Sequence, residues 1–357
     1  MNGVSPEKRE VRKLQVTGDS TYILSLPKRW VTQMGLQKGS QVSLITQSDN
    51  SISIIPEGLK KSEGSMDALI LVEEKDDPES IMRKITSLYL IGYNAIRVRE
   101  EEFRLPTAQR NTIKDVTRRK LMGTEIIADS LDELTIRVLL SYTELSVQGA
   151  LRRMSGITSS MHADSIVALK GIDKEAAEDV VDRDDEVDRF SLYIIRQLKA
   201  AVEDASVLHG IGLSSGRECL GYRLITKFVE RTADHAVEIG RNISVLKHAL
   251  EPQMLKRIES FSRAAVEVFD ESIESLFKKD FRFAEQVVQK AKKVASLRND
   301  LMASIFTEKH VEEVASLALI LESITRAAEY ASDIAEIVMN LSVDQIVSSS
   351  TKGNLKE

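Results

Sequence analysis

From about residue 143 to residue 341, apolar side chains recur three and four positions apart, and the stretch holds a single proline, Pro252. That spacing puts the apolar groups on one stripe of an α-helix, and the scarcity of prolines lets the helices run long. Long helices packed stripe to stripe are the expected architecture. Two breaks interrupt the pattern: "HGIGLSSG" at 209–216 and the Glu251–Pro252 step. The stretch also resembles itself. "HADSIVALKGIDKEAAEDVV" (162–181) aligns with "FDESIESLFKKDFRFAEQVV" (269–288), and each is followed by one long helical pattern and then another. Two three-helix units in tandem, over 143–250 and 253–341, account for this most simply. Charged residues at 29% and aromatics at 5% fit a mainly α, multidomain chain.

Two smaller regions precede the helices. Residues 8–56 read as a compact β-rich unit. "VRKLQVTGDSTYILSLP" gives two short strands around a Gly-Asp-Ser turn. "PKRWVTQMGL" gives a short helix with Pro27 at its start and Gly35 placed to end it in the left-handed region. "QVSLITQSDNSISII" gives a hairpin turning at Ser48-Asp49-Asn50. So short a unit with so few apolar side chains cannot bury an independent core, which predicts a homodimer through this head. Residues 65–141 read as β-α-β-α-β-β, a small α+β domain of unassigned role.

Charge is unevenly distributed. The net charge is −6, yet residues 1–61 hold nine Lys/Arg against five Asp/Glu, and the remaining residues hold 40 against 50. A basic head on an acidic body points to a nucleic-acid contact at the head, with Arg12, Lys13, Lys28 and Arg29 as the DNA-binding candidates. The single cysteine, Cys219, excludes a disulfide framework and a CxxC zinc site. No apolar run reaches the roughly 18 residues that span a bilayer, and "MNGVSPEKREVRK" has no apolar secretory core, so membrane insertion is not expected and a cytoplasmic location is.

The chemistry lies in acids on helices. In "VERTADHAVEI", Glu230, Asp234 and Glu238 share one helix face, with no lysine opposite to pair them. "VVDRDDEVDRF", on the preceding helix, carries Asp184 and Asp188 at i, i+4, flanked by Asp185. Carboxylates at that spacing on facing helices can converge on a cation. Acceptor oxygens suit iron, manganese or magnesium better than a thiolate-seeking metal. His235 could add a nitrogen, although it lies about 100° round the helix from Asp234. The competing account is a solvated acidic face with Arg183, Arg189 and Arg231 as partners. No nucleophile–base pairing, phosphate loop or HExxH is present, so the chain does not read as an enzyme; a metal-dependent enzyme of unknown reaction is the remote alternative.

"ERTADHAVEIGRNI" (230–243) and the tandem repeat resemble PhoU-type phosphate regulators over about 143–341. That resemblance implies metal-binding pairs on two helices of each bundle, here Asp184/Asp188 and Glu230/Asp234. It also implies phosphate homeostasis as the process and phosphate ABC transporter components as partners. The second repeat departs from the pattern: Ala291 and Ala295 align with Asp184 and Asp188, and Thr325, Glu329 and Asp333 align with Glu230, Asp234 and Glu238. A second resemblance covers the head. Its β-β-Pro-helix order and "GLQKGSQV" turn are similar to the AbrB/SpoVT-type swapped-hairpin domain, in which two chains interlock and present basic side chains to DNA. The expected function is a phosphate-responsive regulator acting through DNA; the alternative is an adaptor on the transporter that does not bind DNA.

Overall fold

The computed structural model describes residues 10–18, 21–46, 51–56, 66–100, 104–305 and 311–347. The chain divides into two compact units, Met1–Ser65 and Met66–Glu357.

In the first unit, β1 (Leu14–Thr17) pairs antiparallel with β2 (Thr21–Leu24), and β3 (Val42–Thr46) pairs antiparallel with β4 (Ile52–Pro56). The two hairpins form separate two-stranded sheets. Helix α1 (Lys28–Gln33) lies between them and follows Pro27 directly. It ends as the sequence predicts: Gly35 has φ +63°, and the N–H groups of Gly35 and Leu36 return to the carbonyls of Thr32 and Val31. The predicted turn residues Asp19, Ser20 and Ser48–Asn50 lie outside the described residues. Every residue of β1 and β2 is exposed, so neither face of that hairpin is covered by the described residues of the head.

The second unit opens with a four-stranded sheet. Strands β5 (Asp67–Val72), β6 (Ala95–Glu100), β7 (Thr124–Asp129) and β8 (Glu133–Val138) stand in the order β5-β6-β8-β7. β5 and β6 are parallel, joined by α2 (Pro78–Ile91), and the other pairs are antiparallel. The β-α-β-α-β-β order is the one read from the sequence. Asp77 caps α2 by accepting from the Glu79 and Ser80 N–H groups. Ile70, Ile96, Val98, Leu134 and Ile136 turn to the face covered by α2 and α3 (Thr107–Asp115), where they meet Ile81, Ile85 and Ile113. The run "TAQRNTIKDVTRRKLM" does not form one continuous helix. Instead α3 gives way to a π-type turn, Val116–Lys120, that projects Arg118, Arg119 and Lys120 in succession.

The helical region follows: α4 (Val147–Gly171), α5 (Lys174–Asp182), α6 (Asp184–Glu203), α7 (Ala205–Gly210), α8 (Gly216–Val245), α9 (Pro252–Lys278), α10 (Phe281–Ile305) and α11 (Val311–Leu341). The internal repeat holds residue by residue. Every buried position of α9 falls 107 places after a buried position of α4, as Phe269 does after His162 and Leu276 after Leu169. Both helices end on a left-handed residue, Ile172 and Lys279. Asp173 and Asp280 follow them and accept from the N–H groups of Ala176 and Phe283. An ion pair recurs at the same interval: Arg183–Asp164 at 2.6 Å and Lys290–Glu271 at 2.5 Å. α10 is continuous where its counterpart breaks at Arg183, so the acids of "DRDDEVD" start a helix rather than lying inside one.

α8 and α11 pack along the seam between the bundles. Tyr330 stands 95 places after His235, and Ser323 stands 95 after Phe228. Phe228 meets Tyr330 at 5.7 Å between ring centroids, and His235 Nδ1 lies 3.2 Å from Ser323 Oγ. These are one contact seen from either bundle, so a local two-fold relates the bundles across this seam. The shorter interval follows from α7, which lies between α6 and α8 and has no counterpart among the described residues between α10 and α11.

Candidate functional site

The first bundle gathers four of the five predicted acids. Asp184 and Asp188, one turn apart on α6, face Glu230 and Asp234, one turn apart on α8. Burial and the charges of Asp188, Asp234, Asp185 and Glu230 push the Asp184 carboxyl up to about 7. Burial also raises Asp188, helped by Glu230 and opposed by Lys120. Asp234 is raised by burial and by Glu230, with Lys227 opposing. Asp184, Asp188 and Asp234 therefore each feel a neighbouring carboxylate as unfavourable charge. One oxygen, Asp184 Oδ1, is buried with no hydrogen-bond partner.

Two lysines offset part of this charge, where the sequence suggested none. Lys227 Nζ lies 2.7 Å from Glu230 Oε1, from the preceding turn of the same helix. Ser191 Oγ donates to the other Glu230 oxygen at 3.1 Å. Lys120 Nζ reaches Asp188 Oδ2 at 3.4 Å from the π-type turn of the α+β domain, and Arg119 stands 3.7 Å from Asp185. The run "RRK" at 118–120 is the sequence signal for these partners.

Glu238 stands apart from the cluster. It pairs with Arg241 at 2.6 Å, and it acts on His235 at the seam together with Arg326 and Glu322. His235 turns to Ser323 and Tyr330. Arg231 acts on both sides of α8, lowering the raised carboxyls of Asp333 and of Asp234. Among the described residues, no three His, Cys, Asp or Glu side chains are gathered closely enough, as they stand, to hold a metal ion.

The α+β domain is fastened to the first bundle by a second side chain the sequence reading missed. Arg196, on α6, is 3% exposed. Its guanidinium donates to the carbonyls of Tyr89, Gly92 and Tyr93 and to Asn94 Oδ1, and it lies over the rings of Tyr89 and Tyr142. The carbonyls belong to the C-terminal end of α2, where a cation meets the negative pole of the helix. Gly92 closes that helix at φ +113°, and a Cβ there would stand 2.9 Å from the Tyr142 hydroxyl oxygen.

At the head, Arg12 pairs with Glu10, while Lys13, Lys28 and Arg29 are exposed. Lys28 and Arg29 occupy the first turn of α1.

Comparison with known proteins places both parts. A model of the PhoU domain matches residues 151–243 and 258–338. The helical region belongs to the PhoU family. Its two PhoU domains coincide with the two repeats described above. A model of MazE, a bacterial antitoxin described as taking part in antidote–toxin recognition, matches residues 15–62, so the head is of the MazE/AbrB type. Among solved structures, the chain is similar to the phosphate transport system regulatory protein PhoU from Streptococcus pneumoniae, at 17% identity and a TM-score of 0.48 over 57% of this chain and 96% of that one. It is also similar to PhoU from Pseudomonas aeruginosa, at 20% identity and a TM-score of 0.47 over 56% and 96%. No curated protein sequence matches the chain. PhoU domains are found in regulators rather than enzymes, and among the described residues no helix is long and apolar enough to cross a membrane.

Proposed function

We propose that the chain is a phosphate-responsive regulator that binds DNA as a homodimer through its head. The observation that carries this reading is the union of a PhoU tandem with a MazE/AbrB-type head whose first hairpin is uncovered. Leu14, Val16, Tyr22, Ile23 and Leu24 are all exposed, on both faces of that hairpin. A second copy of the head would cover them, and two heads side by side would double the positive charge offered to phosphates. The helical body is then the sensing part, with components of a phosphate transporter as its partners, inside the cell. Its acidic face is the seat of the signal: the carboxylates of Asp184, Asp188, Glu230 and Asp234 outnumber the ammonium groups beside them, and the unpartnered Asp184 oxygen offers a cation a place to bind. Oxygen donors of this kind suit manganese, magnesium or iron.

The test is duplex binding by the full chain over a range of salt. Bound phosphates release counterions, so affinity should fall steeply with salt. Lys28→Glu with Arg29→Glu should weaken binding and lower the salt slope by about one for each phosphate that is no longer neutralised. Unchanged affinity in that variant at every salt concentration would remove the head from DNA. A monomer by sedimentation would remove the dimer.

A further inference from the structure

We propose that the cleft between the α+β domain and the first bundle binds a phosphorylated sugar, free or as part of a nucleotide. Arg118 and Arg189 hold the phosphate, and Asp179 and Asp182 accept from the sugar hydroxyls. The inference goes beyond the reading of the head as a DNA contact and does not depend on it.

The first support is the shape. A cavity of about 760 Å³ is lined by the turn Val116–Lys120 on one side and by α4, α5 and α6 on the other. Clefts between subdomains are common ligand sites, and this volume suits a small organic molecule rather than a bare ion. Val167 and Ala176 give its wall an apolar patch against which the C–H face of a sugar can pack. The cleft needs both subdomains, and Arg118 and Arg119 precede the residues matched by the PhoU domain.

The second support is the state of the arginines. Four guanidinium groups line the cleft, and two already have acids: Arg183 has Asp164 at 2.6 Å, and Arg119 has Asp185 at 3.7 Å. Arg118 and Arg189 make no hydrogen bond or ion pair with any described residue. Arg189 is half-buried and its Nε is enclosed without a partner, although Asp185 and Glu186 stand one turn before it. Charge taken out of water and left unpaired is costly, and a bound anion would remove that cost. A guanidinium fork matches two oxygens of a phosphate.

The third support is the acids, which a bare oxyanion would avoid. Asp179 and Asp182, on α5, are exposed and form no ion pair among the described residues. Carboxylates accept hydrogen bonds from sugar hydroxyls, as the acidic residue of dinucleotide-binding folds does from a ribose. Cations on the turn and on α6, with carboxylates on α5, thus fit a ligand that is anionic at one end and hydroxyl-bearing at the other.

The internal repeat separates scaffold from site. Arg183 pairs with Asp164 as Lys290 does with Glu271, so that contact belongs to the plan of both bundles. The positions matching Asp179, Asp182 and Arg189 hold Gln286, Gln289 and Ser296, so the charges assigned to the ligand occur in the first bundle alone.

The experiment is calorimetric titration of the full chain, without DNA, with ribose 5-phosphate, AMP, inorganic phosphate and ribose in turn. The tighter of ribose 5-phosphate and AMP identifies the source, free sugar phosphate or nucleotide. It should bind about tenfold or more above inorganic phosphate, and ribose should not bind. Arg118→Ala, at an exposed position, should weaken that ligand about tenfold, the weight of one charge-assisted hydrogen bond. Asp182→Ala should weaken it too, but should leave inorganic phosphate unchanged. Binding of neither ribose 5-phosphate nor AMP, or affinity unaltered in Arg118→Ala, would overturn the site. Inorganic phosphate binding as tightly as both would overturn the sugar. A head that fails to bind DNA would leave these outcomes as they are.

Discussion

The two bundles share a backbone plan and a buried pattern, yet one carries charge where the other carries methyl groups. Asp184 and Ala291 are the same position, as are Asp188 and Ala295, Glu230 and Thr325, and Arg196 and Ala303. Ala291 is 2% exposed and Thr325 donates to the Leu321 carbonyl of its own helix, while Glu329, at the Asp234 position, is exposed and pairs with Arg326. The first bundle keeps four carboxylates in mutual repulsion and an arginine that reaches into another subdomain. The repeat therefore supplies the scaffold, and a few polar substitutions on one copy create both the acidic face and the docking of the α+β domain.

The largest expected effect comes from breaking the dock. Arg196→Met leaves the carbonyls of Tyr89, Gly92 and Tyr93 buried without this donor, and should cost about 3 kcal/mol or more. Thermal unfolding should show the loss, and hydrogen exchange should show α2 losing protection while α9–α11 keep theirs. An unchanged α2 would mean that the apolar packing against α6 is enough.

A second measurement makes the bundles more alike through pH. His162 is buried with its Nε2 donating to the Thr232 carbonyl at 2.7 Å, and burial pushes its imidazole down to about 4. Its counterpart is Phe269. A folded-state value below the unfolded one means the neutral ring favours the fold above about pH 6.5. That contribution is lost as pH falls toward 4, by about 3 kcal/mol across the window. His162→Phe should flatten the acid limb of stability between pH 6.5 and 4. A limb as steep as in the native chain would assign the acid loss to other groups.

The smallest effect, and the sharpest on the comparison, is the exchange of Asp184 and Ala291. Asp184→Ala in metal-free protein should stabilise the first bundle by about 1 kcal/mol at pH 8, because the raised carboxyl must otherwise ionise among like charges. The sign follows from the direction of the shift: a carboxyl raised in the fold favours folding at low pH, and that contribution is lost as pH rises through about 7. Ala291→Asp should do the reverse at the matching site. Equal and negligible shifts in both variants would show that the two positions differ less than their surroundings suggest.

Much of this was legible in the sequence. The three-and-four periodicity, the lone Pro252 and the 162–181/269–288 similarity determined a mainly α chain with a tandem repeat, because buried stripes must recur with the helical period. The turn chemistry of the head was equally readable, since Gly35 is placed where the chain needs a left-handed residue. Facing of Asp184 and Asp188 with Glu230 and Asp234 could be anticipated from i, i+4 spacing on consecutive helices. Tertiary structure alone decided what neutralises them. Lys120 is distant in sequence, and its approach depends on a turn that a helical pattern hides. Glu238 shares the spacing of Glu230 and Asp234, yet the rotation between successive turns, accumulated over two of them, carries it to the seam where His235 lies. Arg196 had no sequence signal at all, because its partners are backbone carbonyls, which every residue possesses. Local pattern fixes which residues share a face of one helix; only packing determines which other element meets that face, and here that choice sets the charge balance of the site.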